Sequence, residues 1–417
     1  MECTQATRLS ARRCFSSSHL GAKLGATPSH EPPMKILICP DSFKDALSAA
    51  AAARAIAGGI RRLEADHRLV ECPLADGGEG SLAALLAATG AERRTATVQD
   101  ALGRPARASW GWLSRHRTAL IELAEASGIQ ALAPAERTAL HSTTHGVGEL
   151  IVAALDAGAE RLLLTLGGSA TNDGGAGMLT ALGARLRDGA GQALPPGGAA
   201  LAELAELDLS GLDPRLASLR VEVAVDVDNP LLGERGASAV FGPQKGASRE
   251  DVERLDGALA RYADVSAAAL GQDHRDLPGA GAAGGMGFAA RAFLGAELTP
   301  GIQLIMAQAG FEALLADADL VITGEGQLDG QSLAGKTPIG VARAARDRGV
   351  PVVVLAGRLA PGWQAAQAEG VTAAFALADG PMALDEALAR CAELLADRAE
   401  SAVRLFAAGR SSATGRD

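Results

Sequence analysis

Aromatic side chains are scarce, at 3% of the 417 residues, with three Trp and one Tyr. The cores must therefore be aliphatic, and a bound nucleobase would find few rings to stack on. The five cysteines, Cys3, Cys14, Cys39, Cys72 and Cys391, are scattered and include no Cys-x-x-Cys. That argues against a disulfide framework or a zinc site and for a reducing, cytoplasmic compartment. No His-Glu-x-x-His occurs among the seven histidines, so the zinc-protease spacing is absent. No uncharged apolar run is long enough to span a bilayer, because Ala46–Ile60 is broken by Arg54 and two glycines. A formal net charge of −10 speaks against nucleic acid or an anionic membrane as the main partner. A local basic pocket for a small anion stays compatible with it.

What the chain has in quantity is alanine and glycine, within 48% hydrophobic and 21% charged residues. Its length allows two or three domains, each with its own core. Residues 1–33 stand apart: they carry Arg8, Arg12, Arg13 and Ser16–Ser18 but no strand, long helix or apolar signal segment. They are expected to be a disordered extension. An upstream start codon explains them better than an organelle transit peptide, since Met34-Lys-Ile-Leu-Ile-Cys39 reads as a natural beginning. The tail at 406–417 is expected to fray.

From Lys35 onward, short aliphatic runs alternate with helical stretches. Strands are predicted at Lys35–Cys39, Arg68–Leu74, Ala119–Leu123, Arg161–Leu166, Val221–Val225, Leu320–Thr323, Val350–Ala356 and Thr372–Leu377. Helices are predicted near Ala46–Glu64, Gly80–Thr89, Gly146–Ala157, Gly175–Leu186, Arg249–Leu270, Gly287–Leu294, Thr337–Arg348 and Ala383–Leu405. This order predicts an α/β fold, with parallel sheets covered by helices. The first two and last three strands have the character of an open, doubly wound parallel sheet. The expected organisation is one discontinuous α/β domain from 34–91 and 286–405, with a second α/β domain, 92–285, inserted into it.

Directly after Arg161–Leu166 the chain reads Gly167-Gly-Ser-Ala-Thr-Asn-Asp-Gly-Gly-Ala-Gly177 and then turns helical. A buried strand feeding a glycine-rich loop and a helix gathers backbone amides around an anion. It is not a Walker A loop, because no Lys-Ser/Thr follows the glycines. Gly330-x4-Gly335-Lys-Thr337 does fit that motif letter for letter, but Pro338 follows at once and Asp329 would sit beside the phosphates. A chance match is the better reading, with Lys336 kept as an anion ligand.

Ligands of open parallel sheets bind at the carboxyl ends of the strands. The polar loops Pro40–Asp45, Ala75–Gly80, Gly167–Gly177, Asp226–Pro230 and Gly324–Asp329 all fall there. A cleft lined by carboxylates, amides and lysines is the expectation. Lys44, at a strand-to-helix turn, can reach a phosphate or carboxylate. Asp76 and Glu79 flank two glycines, as metal or hydroxyl ligands would, whereas Asp41 and Ser42 serve equally well as helix caps. Asp226 and Asp228 are expected to point apart, so that at most one faces the cleft. Lys245 lies on the turn-rich loop Phe241–Ala247, with Arg235 upstream. Gly279–Gly287 reads as a second amide cradle or as a hinge.

The segments Lys35–Leu47, Ala75–Gly80, Gly167–Gly175, Asp226–Pro230, Gly236–Ala247, Gly284–Phe288 and Thr323–Pro338 resemble, in this order, the bacterial glycerate kinases of the type-1 family. The similarity runs from Met34 to about residue 400; residues 1–33 have no place in it. It implies ATP-dependent phosphorylation of D-glycerate, with 2-phosphoglycerate favoured over 3-phosphoglycerate. It also implies that the domain built from both chain ends is flavodoxin-like.

Phosphoryl transfer needs alignment, charge neutralisation and a base near the attacking hydroxyl. In an acidic protein without histidine or cysteine clusters, Mg²⁺ and lysines carry the positive charge. On that basis Gly167, Gly168, Ser169, Asn172, Asp173 and Gly174 are expected around the nucleotide phosphates, with Asp173 or Asp228 on Mg²⁺. Lys44 and Lys245, with Arg235, are expected to receive the glycerate carboxylate and the moving phosphoryl group. Asp76 is the first candidate base and Glu325 the second; Ser42, Gly77 and Asp329 are candidate substrate contacts. The expected partners are glycerate and ATP, with no nucleic acid or membrane, and homo-oligomerisation stays open. The alternatives are a kinase for another small hydroxy acid, such as a tartronate or tetronate, and a non-catalytic sugar-acid binding protein. A nicotinamide-dependent oxidoreductase is disfavoured, because no predicted strand feeds a Gly-x-Gly-x-x-Gly turn here.

Overall fold

A computed structural model describes residues 33–63, 65–330 and 332–414. The extension expected before Pro33 and the tail end at 415–417 lie outside the described residues. Five strands, all parallel, form the first sheet in the order Val371–Ala376, Val352–Leu359, Leu320–Leu328, Lys35–Pro40 and Arg68–Glu71. This is the flavodoxin-like winding, and its switch point lies between Lys35–Pro40 and Leu320–Leu328. The central strands are apolar on both faces because both faces are covered. Ile36 and Ile38 pack with Ile56, Leu395 and Val403 under helices Ala49–Ile60 and Cys391–Thr414. The alternate residues Leu37 and Cys39 face Ile302, Ile305 and Ile339 on the opposite side.

The second sheet runs Glu297–Thr299, Arg220–Ala224, Arg161–Thr165, Thr118–Glu122, Pro105–Leu113 and Glu92–Gln99. Its first four strands are parallel and its last two antiparallel. One face packs Leu162, Leu164 and Val223 against Val147, Tyr262 and Phe288 from helices His145–Asp156, Arg249–Leu270 and Ala282–Leu294. The other face sends Leu120, Leu163 and Ala224 into the same core as Leu82, Ile302 and Val321. The two sheets therefore share a layer of side chains, and the chain from Pro33 onward forms one compact unit.

Several local expectations shift. The antiparallel pair Glu92–Gln99 and Pro105–Leu113 was not among the predicted strands, because Glu-Arg-Arg-Thr-Ala-Thr-Val-Gln has no aliphatic run. As an edge strand it buries only Val98. The predicted helix Gly175–Leu186 is only Ala176–Ala181, followed by strand Arg185–Arg187. Residues beyond 285 also serve the second sheet: Phe288 packs in its core and Glu297–Thr299 pairs with Glu222–Ala224. Strand Leu320–Leu328 outruns its predicted end at Thr323, since Gly324–Leu328 continue the pairing with Leu355–Leu359. Glu325 thus sits on a strand and not on a loop.

Candidate active site

Two adjoining cavities open at the carboxyl ends of the strands, one of about 540 Å³ and one of about 380 Å³. Lys44, Asp76 and Gly78 line both, so they are two chambers of one cleft.

The larger chamber lies at the switch point of the first sheet. Asp41 follows strand Lys35–Pro40; it accepts hydrogen bonds from the Thr337 hydroxyl at 2.5 Å and the Ser42 amide at 2.5 Å. Burial, with Asp76 nearby, pushes its pKa up to about 6. Glu325 is 7% exposed; its Oε2 lies 3.6 Å from Lys336 Nζ, and its Oε1 has no hydrogen-bond partner among the described residues. Burial pushes Glu325 up to about 7 against the opposing pull of Lys336. Ser42 and Gln327 also line this chamber, and its far wall is aliphatic, from Leu377 to Leu394.

Two amides of the segment between Gly330 and Thr337 are unavailable to a phosphate. The amides of Gly335 and Lys336 donate to Ser332 O, at 3.3 and 3.2 Å, so they are committed within the turn. Asp329 accepts from the Ser332 amide at 3.0 Å and the Gln327 side chain at 2.7 Å. It closes that turn and lines neither chamber, contrary to the substrate contact expected of it.

The smaller chamber lies at strand ends of the second sheet. Gly167 donates its amide to Gly77 O at 3.1 Å, and a Cβ on Gly167 would come within 2.3 Å of Gly78 Cα. Only glycine lets the Asp76 loop and the Gly167 loop interlock this closely. Gly77, Gly167, Gly168 and Ser169 line the chamber together with Lys245. Lys245 is 2% exposed, and its Nζ donates to Ser169 Oγ at 2.8 Å and Thr171 O at 2.7 Å. Burial lowers its pKa to about 7, with Asp173 pulling the other way. Asp226 faces the same space and accepts from the Gly301 amide at 2.8 Å. Burial pushes it up to about 7, and the charges of Asp76 and Asp41 add to the rise.

The glycine-rich loop divides after Ser169. Asp173 is 1% exposed and saturated: it accepts from the Thr144 amide (2.8 Å) and hydroxyl (2.9 Å) and from the amides of Gly175 (3.1 Å) and Gly177 (3.2 Å). Asn172 donates to Ser238 Oγ at 2.9 Å. Gly174 donates to Gly284 O at 2.9 Å and abuts the Tyr262 ring. Asn172, Asp173 and Gly174 reach neither chamber, so they form an internal strut and not the expected phosphate and metal ligands. Gly284 and Gly285, at φ 69° and 91°, hold that strut, and only Ala282 and Ala283 of their segment touch the cleft.

Asp226 and Asp228 do part, though not by strand alternation, under which residues two apart share a face. The strand ends at Ala224, and the loop beyond sends Asp228 outward. There it pairs with Arg235 at 3.0 Å, both groups exposed and outside both chambers. Neither fills its expected metal or substrate role. Among the described residues, no three Asp, Glu, His or Cys side chains come together as a metal cage.

Glu122 escaped the sequence reading. From the end of the buried strand Thr118–Glu122 it accepts from the amides of Gly80 (2.9 Å) and Leu82 (2.8 Å). It thereby caps helix Ser81–Thr89, which directly follows the Asp76 loop. Its only signal was a lone carboxylate closing an apolar run.

Comparison with known proteins fits this cleft. The profile of the Glycerate kinase family matches residues 36–407. A glycerate kinase from Bacillus subtilis (strain 168) is 49% identical over 364 residues, covering 87% of this chain and 95% of that protein. A glycerate 2-kinase from Escherichia coli (strain K12) is 48% identical over 354 residues, 85% of this chain and 93% of that protein. The crystal structure of a protein assigned as glycerate kinase 2 from Salmonella typhimurium LT2 superimposes with a TM-score of 0.82 at 48% identity. It covers 91% of this chain and 100% of that one. By sequence and by fold, the chain belongs to the glycerate kinase family.

Proposed function

We propose that the cleft transfers the γ-phosphoryl group of ATP to glycerate, with the nucleotide in the larger chamber and glycerate in the smaller. The observation that carries this reading is the shared boundary at Lys44, Asp76 and Gly78, where two substrates in separate chambers would meet. The larger chamber lies at the flavodoxin-like switch point, the usual nucleotide position in such sheets. In the smaller one, Lys245, Ser169 and the Gly167–Gly168 backbone suit a small carboxylate. The glycine-rich loop thus moves from the nucleotide phosphates to glycerate, since its buried strut lines neither chamber.

Among the described residues, Asp76 is the only carboxylate lining both chambers. It takes the proton of the attacking hydroxyl as that oxygen bonds the γ-phosphorus and the bond to the β-phosphate oxygen breaks, leaving the electron pair on ADP. Lys44 follows the moving phosphoryl group. Asp226, in the smaller chamber, holds the second hydroxyl of glycerate. Asp41 and Glu325 would hold Mg²⁺: both are oxygen donors lining the chamber, Asp41 half-buried and Glu325 buried, and Glu325 Oε1 has no hydrogen-bond partner among the described residues. Two carboxylates suit an ion that keeps water and phosphate oxygens as its other ligands. Bound there, Mg²⁺ would neutralise charge on the nucleotide phosphates.

The product assigned is 2-phosphoglycerate, in line with the Escherichia coli relative. The domain boundary is drawn after Thr299, where the chain leaves the second sheet. Cys39, Cys72 and Cys391 are free thiols, which supports a reducing, cytoplasmic setting. A coupled ATP-consumption assay across small hydroxy acids, with product analysis, tests the reading. Glycerate should dominate and yield 2-phosphoglycerate; equal turnover of tartronate or a tetronate would contradict it.

A further inference from the structure

The far wall of the larger chamber is built from Leu377, Ala378, Leu384, Ala387, Leu388 and Leu394. Leu384, Ala387 and Leu388 stand at i, i+3 and i+4 on helix Leu384–Ala389 and turn one apolar face to the cavity. Leu384 is 72% exposed at the rim of this wall, whereas Leu377 and Leu394 are buried in it. A side chain of this kind at a chamber mouth suits a flat apolar ligand surface. Several polar groups beside the wall are already engaged. Leu377 donates its amide to Ala356 O at 2.9 Å. Arg398 donates to Ala376 O at 3.1 Å and to Ala378 O at 2.8 Å. The Gln327 amide is held by Asp329 at 2.7 Å. Cys391 adds only a thiol, a weak donor. Phe43 lines the opposite side but is 3% exposed and offers no open face for stacking.

We infer that this wall receives the nucleotide base by aliphatic contact alone, so that the site accepts purine nucleoside triphosphates as a class and discriminates weakly between adenine and guanine. The inference rests on the placement of the nucleotide in the larger chamber. Adenine and guanine differ in the donors and acceptors along one edge, and strong selection between them needs unengaged polar groups facing that edge. Hydrophobic pockets without such groups separate related ligands by only about 10- to 200-fold, whereas hydrogen-bonding pockets reach about 10⁴ or more. Binding energy would come from the triphosphate, which all these nucleotides share, through Lys44, Lys336 and Arg358 on the chamber floor.

Steady-state kinetics of the full chain at saturating glycerate, with ATP, GTP and ITP in turn, test the inference. GTP and ITP should each reach a kcat/KM within about 200-fold of ATP; rejection of GTP by about 1,000-fold or more would overturn it. Leu388→Asp, checked for folding by its thermal transition, should raise KM for all three nucleotides by about tenfold or more and leave the glycerate KM unchanged. Leu388→Ala, a milder change, should move all three nucleotide KM values in the same direction. If these variants instead raise the glycerate KM alone, the chamber assignment fails. If they weaken ATP while GTP is inert, only the weak base selection fails.

Discussion

In the larger chamber the desolvated charges are carboxylates, the half-buried Asp41 and the buried Glu325, both pushed toward neutrality. In the smaller chamber the most buried charge is a lysine, Lys245, pushed the same way from the other side. Both chambers occupy the ends of parallel strands, so topology alone does not tell them apart. The sign of the most deeply buried charge does: Glu325 in the larger chamber, Lys245 in the smaller, where Asp226 is less buried. Desolvated carboxylates gain most from a ligand that brings a cation, and a desolvated lysine gains most from a small anion. A nucleotide with its magnesium matches the first, and a hydroxy-acid carboxylate matches the second.

The largest effect is expected at the boundary between them. Asp76→Asn should lower kcat by about 100-fold or more while nucleotide affinity is kept. Turnover within about threefold of wild type, roughly 0.6 kcal/mol, would remove the base from this position. Next comes Lys245→Met, which should raise the glycerate KM by about 30-fold or more, from the loss of a buried charged partner, with the nucleotide KM steady. The wild-type glycerate KM should also depend on pH. Burial holds the folded, unliganded Lys245 near pKa 7, well below an ordinary lysine. The cation that binds carboxylate is therefore present below about pH 7 and is lost as pH rises through that value. KM should climb above pH 7 by up to about tenfold per unit, and the slope attributed to Lys245 should vanish in Lys245→Met.

Smaller effects separate cradle from strut within the glycine-rich loop. Asp173→Asn replaces a four-fold acceptor with a group that is half donor, and should cost about 2–4 kcal/mol of stability in a denaturant titration. The fraction that folds should keep its KM values; a selective loss of nucleotide affinity would return Asp173 to the site. Smallest of all, Asp228→Ala and Arg235→Ala should leave kinetics and Tm unchanged, since they form a solvent-exposed pair.

The parallel strands were legible because a strand buried on both faces is a continuous aliphatic run, as in Arg161–Thr165. The edge hairpin at Glu92–Leu113 was not, since its pattern answers to solvent on one side. Strand ends carried most of the cleft: Ser42, Lys44, Asp76, Gly77, Gly167, Gly168, Ser169 and Glu325 line it, with Lys245 added from the turn Pro243–Lys245. The misplacements have one physical origin. Asn172, Asp173 and Gly174 look like a cradle in sequence, but helix Arg249–Leu270 and the Gly284–Gly285 turn close over them. Asp226 and Asp228 could not be told apart either, because the difference lies in where the strand stops. Which side of a polar loop faces the ligand is decided by what packs on its back, and that information lies about a hundred residues away.

The division of the cleft is tested most directly by calorimetric titration of two ligands, glycerate and a non-hydrolysable ATP analogue, into Lys245→Met and Leu388→Asp. The predicted pattern is crossed: Lys245→Met loses glycerate and keeps the nucleotide, and Leu388→Asp loses the nucleotide and keeps glycerate. Loss of the nucleotide from Lys245→Met, with glycerate binding intact, would contradict the account.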